Sequence, residues 1–322
     1  MRAVAAMLEQ DAKLLLRNAL FWVMAATLVF IILTVRFLIP EDFSATPSAL
    51  GTYGFDGGVP GATTLEDPAA VESLVRETGA VGAVRQDGVL TILHADLSDQ
   101  GAAALATRLT PPVTSPAAVE TEVLRPQGGV VPQNLRVTPV AITFEAIILG
   151  FLMASVLMLS ERQEGVLEAY RISPGSALTY VASKTLLFMG LGTLYAVAMA
   201  VATVGVAFSW PAFLLLSLLA GALYTLFGLG LTVFFRDISG WFVVAMLVLG
   251  INMVPVISHA APTFAPAWLV AIPSYAIVFA FDEILFPTGK SLAGTYLTLG
   301  AWTVAALVAC TALIHRRLLS AR

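Results

Sequence analysis

Glu161-Arg162-Gln163-Glu164-Gly165-Val166-Leu167-Glu168-Ala169-Tyr170-Arg171-Ile172-Ser173-Pro174 is a short charged island between two long apolar runs. Most of its residues favour helix, and the proline stops it. Drawn as one helix, it brings Glu161, Glu164, Glu168 and Arg171 within i,i+3 and i,i+4 reach of one another. Val166, Leu167 and Tyr170 then gather as an apolar patch elsewhere on its surface. A helix of this kind lies against a membrane or a protein partner; the plainer reading is a solvated connection between two membrane helices.

Outward from the island, the composition is that of a membrane protein. The 322 residues are 58% hydrophobic and 12% charged, with a mean hydropathy of +0.87, which excludes an ordinary soluble globule. The single Cys310 lies in an apolar run and has no partner for an internal disulfide. His94, His259 and His315 are far apart on different elements, so no metal site is expected. The expected fold is an all-α polytopic membrane protein with six transmembrane helices and a small α/β extracytoplasmic domain between the first and second.

Residues 1–18 place Val4, Met7, Leu8 and Leu15 at helical spacing, with Glu9, Lys13 and Arg17 four apart on a polar side. That pattern predicts an interfacial amphipathic helix. A cleavable signal peptide fits poorly, because Glu9 and Asp11 are acidic and the following apolar run is too long. The first span covers 19–38, enough to cross roughly 30 Å of hydrocarbon.

Residues 39–139 change character and contain no run long enough to span. Twelve acidic residues outnumber five basic ones, Arg76, Arg85, Arg108, Arg125 and Arg136. Asp67 and Pro68 signal the start of a helix over 67–78. Runs 81–85 and 89–94, around Gln86-Asp87-Gly88, read as a hairpin. A second helix is predicted from Ser98 to about Leu109, and 119–124 alternates like a strand.

The second span is read as 140–160, followed by the island as a cytoplasmic coupling helix over 161–177. The third run, 178–208, is overlong for one crossing and tilts or begins in the cytoplasm. The fourth, 212–235, carries Gly221, Thr225, Gly228 and Thr232 as a narrow small-residue stripe suited to close helix packing. The fifth covers 240–257. Four prolines cut 258–290 into pieces too short to cross, predicting re-entrant or interfacial helices. The sixth covers 292–314 and leaves a tail over 315–322.

With a cytoplasmic N-terminus, the inner segments hold Arg2, Lys13, Arg17, Arg162, Arg171, Lys184, Arg236, Arg316, Arg317 and Arg322, while the short outer ones hold Arg36 and Lys290. This asymmetry obeys the positive-inside rule. It puts both termini and the island in the cytoplasm and the acidic domain outside.

The residues Glu161, Arg162, Gly165, Leu167, Glu168, Arg171, Ser173, Pro174 and Lys184 resemble the segment after the second span in ABC type-2 permeases, the membrane subunits of ATP-driven exporters. Ile272-Pro273-Ser274-Tyr275-Ala276-Ile277, followed by Asp282-Glu283, is similar to the Pro-x-x-Tyr segment before that family's last span, with one residue fewer between Pro273 and Tyr275. The resemblance implies a permease without catalysis of its own in the cytoplasmic membrane of a prokaryote. It implies two ATPase subunits carrying ATP and Mg, a second permease subunit that is identical or paralogous, and no nucleic acid. In such an assembly the island docks on the ATPase through Glu161, Arg162, Glu164, Gly165, Leu167, Glu168, Tyr170, Arg171 and Pro174. Leu167 and Tyr170 would enter an apolar groove, with Glu164, Glu168 and Arg171 at its rim.

Thr288-Gly289-Lys290-Ser291 looks like the end of a phosphate-binding loop, but Ile284 stands where its first glycine belongs and no strand precedes it. Glu145 is the one carboxylate inside a predicted span; it either snorkels to the outer interface or lines a substrate pathway. Asn252 and Pro255 mark a polar kink that either lines a pore or is satisfied between helices. Phe144, Phe151 and Met253 are candidates for the pathway's apolar wall. The pathway as read suits a hydrophobic or amphipathic cargo, drug or lipid-like, and leaves polysaccharide or peptide open. Two other readings fit the sequence: a secondary transporter using Glu145 as proton relay, or a membrane-anchored sensor or assembly protein with an outer ligand domain.

Overall fold

The computed structural model describes residues 2–39, 50–55, 59, 62–78, 81–86, 89–94, 105–106, 109, 119–123, 133–172, 175–260 and 266–319. The chain divides into two compact units. One comprises Met1–Arg36, Val137–Val256 and Trp268–Arg322; the other comprises Phe37–Arg136 and Ile257–Ala267.

The smaller unit is built on a five-stranded sheet of order β2-β1-β3-β4-β5. Its strands are β1 (Leu50–Tyr53), β2 (Ala62–Thr64), β3 (Val81–Gln86), β4 (Val89–His94) and β5 (Val119–Val123). β1 runs parallel to both β2 and β3, β3 and β4 are antiparallel, and β4 and β5 are parallel. Gln86 faces Val89 in the ladder, so only Asp87 and Gly88 connect the two central strands. The helix Pro68–Thr78 is held at its start by Asp67, whose Oδ1 accepts the Ala69 amide at 3.1 Å. It buries Val71 and Val75 against Val84 and Leu93. Leu50, Val81, Ala83, Leu90 and Ile92 form a second cluster with Ala106 and Leu109. Val84 beside Ala83, and Leu93 beside Ile92, alternate between the two clusters as a pleat requires. Gly51 and Gly82 are register partners beneath the helix. A Cβ on Gly82 would lie 2.5 Å from Val71 Cγ1, so the glycine lets the helix approach. Of the helix predicted from Ser98, only 105–106 and 109 fall among the described residues.

The larger unit is helical. Among the described residues, six helical runs, each mainly in this unit, are long and apolar enough to cross a membrane: Phe21–Leu38, Asn134–Gln163, Ala177–Thr203, Trp210–Thr232, Ile238–His259 and Ala293–Leu318. The N-terminal helix Arg2–Arg17 precedes them, and Asn18 alone separates it from the helix Ala19–Leu33 that carries the first span. The second span changes its winding along its length, widening to a π-helical stretch over Ile148–Met153 between α-helical halves Thr138–Ile147 and Ala154–Gln163. The third run is shorter than 178–208. Its helix ends at Thr203, where Gly205 at φ +96° and the amides of Val204 and Gly205 turn back onto the Ala200 carbonyl.

The fourth span is the most enclosed of the later helices, and its small-residue stripe explains why. A Cβ on Gly228 would sit 2.4 Å from the Phe151 carbonyl oxygen, and one on Gly150 would sit 3.0 Å from the Thr225 nitrogen. The second and fourth spans therefore meet backbone to backbone. Thr225 and Thr232 bond back to the Gly221 and Gly228 carbonyls at 2.7 Å, which removes their hydroxyls from the apolar interface. Beyond the fifth span, Pro273–Leu285 forms a 13-residue helix, about 20 Å long and too short to cross. It buries Ile277, Val278, Phe281 and Ile284 in the bundle.

Candidate functional site at the polar island

The second span does not continue through the island as one helix, which corrects the single-helix expectation. It ends at Gln163; Glu164 and Gly165 form a turn, and a separate short helix runs Val166–Arg171. Gly165 has φ +75°, a left-handed conformation that a side chain would strain. Glu161 and Glu168 thus belong to different helices and face different surroundings. Glu161 is 5% exposed; Glu168 is exposed.

Glu161 is the centre of a buried polar cluster. Lys184, on the third span, donates to Glu161 Oε1 and, at 2.7 Å, to Asp11 Oδ1 on the N-terminal helix. Tyr180 OH donates to Glu161 Oε2 at 2.6 Å. The Lys184 ammonium also lies 5.3 Å from the centroid of the Tyr180 ring. All four side chains are buried. Burial pushes the Asp11 carboxyl above its ordinary value, and Lys184 opposes that rise. Arg162 ties the same segment to another helix: its Nη1 donates at 2.7 Å to the Phe235 carbonyl, just past the end of the fourth-span helix.

The short helix has one anchored face and one open face. Leu167 is 4% exposed and packs in the main helical core. Tyr170 is half-buried, its ring 5.7 Å from that of Tyr180 and its hydroxyl donating to the Ser176 carbonyl at 3.0 Å. A Cβ on Gly175 would lie 2.4 Å from that tyrosine ring, so glycine makes the space. Leu167 and Tyr170 therefore pack against the island's own chain. What stands outward is Glu164, Val166, Glu168, Arg171 and Ile172, the last 90% exposed. Pro174 lies outside the described residues.

The six pathway candidates separate in the same way. Glu145 is 1% exposed, and among the described residues neither of its oxygens has a hydrogen-bond partner. Phe151 is buried against the Trp241 ring at 5.7 Å. Asn252 is satisfied between helices: its Oδ1 accepts from Tyr224 OH at 2.6 Å, its Nδ2 donates to the Val248 carbonyl, and its own carbonyl accepts from Ser274 Oγ at 3.0 Å. Pro255 is buried inside the fifth-span helix. Phe144 is half-buried, and Met253 is 46% exposed. Of the six, Phe144 and Met253 are the two that are not fully buried.

Thr288-Gly289-Lys290 presents its three backbone N–H groups to an internal anion, the Glu283 carboxylate, at 2.8, 2.8 and 3.0 Å. Among the described residues no three His, Cys, Asp or Glu side chains gather as metal ligands.

Asp11 is the residue that sequence reading passed over. Its signal is an acid at apolar-face spacing, continuing Val4 and Leu8 toward Leu15 by steps of four, three and four. An interfacial helix with an acid on its buried side has to find a cation, and Lys184 supplies it.

Six helices able to cross a bilayer, with a charged segment anchored at the end of the second, define a multi-pass membrane protein. The family described as ABC-2 family transporter protein matches residues 93–314, more than half of the chain. The chain belongs to that family and is the permease, the transport subunit of an ABC transporter. Its matched region contains Glu161, Lys184 and the whole island. A search of curated proteins finds no match.

Proposed function

We propose that this permease works as an exporter, paired with a second permease subunit, identical or paralogous, and driven by two separate ATPase subunits that carry ATP and Mg. The observation that carries the reading is the two-sided island. Leu167, Tyr170, Glu161 and Arg162 fix it to the third and fourth spans, while Glu164, Val166, Glu168, Arg171 and Ile172 stand open to a partner. A force applied to the open face reaches the spans through the anchored one. Charge asymmetry supports a cytoplasmic island and termini with the sheet unit outside. The first, fifth and sixth spans leave broad apolar faces open, including Phe30, Phe242, Val243, Leu247 and Val304, suited to lipid and to a second subunit. Phe144 and Met253 are the candidates for lining a path between subunits, and their apolar character favours a hydrophobic or amphipathic cargo.

The test is co-purification of the tagged chain from its own membranes in mild detergent. The wild type is expected to bring an ATPase with it. Ile172→Asp with Glu168→Arg is expected to lose that ATPase while the chain keeps its monodisperse elution, because both residues are exposed. Leu167→Asp is expected to damage the fold itself, since it puts a charge in the core. Retention of a stoichiometric ATPase by the Ile172/Glu168 variant would reject the open face as the docking surface.

A further inference from the structure

We propose that the N-terminal helix is a second transmission element, latched by Asp11 through Lys184 to the Glu161 end of the second span, so that helix, island and third span move as one body. The inference rests on the island being the partner surface and adds Asp11 to it as a positioning residue.

Three helices distant in sequence converge on one ammonium group: Lys184 lies 173 residues from Asp11 and 23 from Glu161. Two of its protons go to the two carboxylates, and its third side faces the Tyr180 ring. Of the exposed charges on the N-terminal helix, Lys13 and Glu9 pair locally at 2.6 Å. Asp11 is the acid turned inward.

Anchoring alone does not require a buried acid. Leu15 on the same buried face holds the helix down by apolar contact, and a leucine at position 11 would do so without the cost of desolvating a charge. An ion pair supplies register instead. Apolar faces tolerate sliding by a helical turn, about 5.4 Å; a 2.7 Å bond to a buried ammonium does not. The consequence reaches further, because only Asn18 separates this helix from the helix that carries the first span, and the Asn18 carbonyl accepts the Phe21 amide at 3.1 Å. Movement of the island is thereby delivered to the first span as well as to the second and third.

The experiment uses the full chain in complex with its ATPase, with spin labels at the exposed positions Gln10 and Ala169. In the wild type the distance distribution between the labels is expected to be narrow and the same without nucleotide and with ATP and Mg trapped. Asp11→Leu is expected to keep the fold and the bound ATPase, broaden that distribution, and lower the permease-dependent ATP turnover about tenfold, within the range of ordinary coupling energies. Asp11→Glu is expected to restore both readings. An Asp11→Leu complex with unchanged distances and turnover would overturn the latch, since a merely anchoring helix predicts that result. A wild type that binds no ATPase would overturn the docking reading instead. The nucleotide-free distributions of wild type and Asp11→Leu would then still decide whether Asp11 fixes the helix: broadening supports the latch and identity refutes it.

Discussion

Glu145 and Glu161 stand sixteen residues apart on one continuous helical run, a separation of about 24 Å at helix rise. They are almost equally buried, at 1% and 5% exposure. Yet both oxygens of Glu161 accept hydrogen bonds, from Lys184 and Tyr180, while neither oxygen of Glu145 has such a partner among the described residues. Burial by itself therefore says little about a carboxylate's role. At the island end the acid joins three helices and sits where the permease is proposed to receive force. In the other half of the span the acid is enclosed without a hydrogen bond to any described residue, so removing its charge breaks no bond among them.

The largest expected break of this contrast is Lys184→Met. It leaves Asp11 and Glu161 buried together without their cation, a loss of about 3–5 kcal/mol by the behaviour of broken buried pairs. Thermal unfolding in detergent, followed by loss of monodisperse elution, measures it; an unchanged midpoint would mean the cluster is not formed in the protein.

Next in size is the backbone contact midway between the two acids. Gly228→Val must push against the Phe151 carbonyl, which lies 2.4 Å from the added Cβ position, and is expected to cost about 1–3 kcal/mol as overpacking does. Gly250→Ala, with nothing within 4 Å, serves as the control and is expected to be neutral or stabilising by up to about 1 kcal/mol through helix propensity.

The sharpest comparison is also the smallest. Glu161→Gln weakens the bond to Lys184 and is expected to lower stability by about 1–3 kcal/mol, whereas Glu145→Gln is expected to change it by less than about 0.5 kcal/mol or to raise it, because no bonded partner is lost. Equal losses in the same unfolding assay would show that Glu145 has a partner of its own and erase the distinction.

Much of the fold was legible because its signals are short-range. Six apolar runs, the Asp67-Pro68 helix start and the Gly221, Thr225, Gly228, Thr232 stripe are all periodic or local patterns. The site was legible in part. The island was recognisable by its charges and by its place between two spans. Its inward and outward faces were not, because Gly165 at φ +75° resets the direction of the chain after Gln163. Helical spacing carried from Glu161 to Arg171 is meaningless across that turn. The same limit applies to Asn252 and Phe151, which helical periodicity cannot distinguish as pore-lining or interhelical.

The sequence by itself determined the membrane class, the placing of a sheet-forming insert between the first two spans, and the family to which the island points. Hydropathy over about 20 residues decides each span without reference to any other segment. Only the tertiary structure decided which face of the island is anchored, that β1 runs parallel to both of its neighbours, and that Asp11 meets Lys184. The physical reason is range. An ion pair between groups 173 residues apart depends on the packing of whole helices, and a single buried acid in an amphipathic pattern announces the need for a cation without naming it.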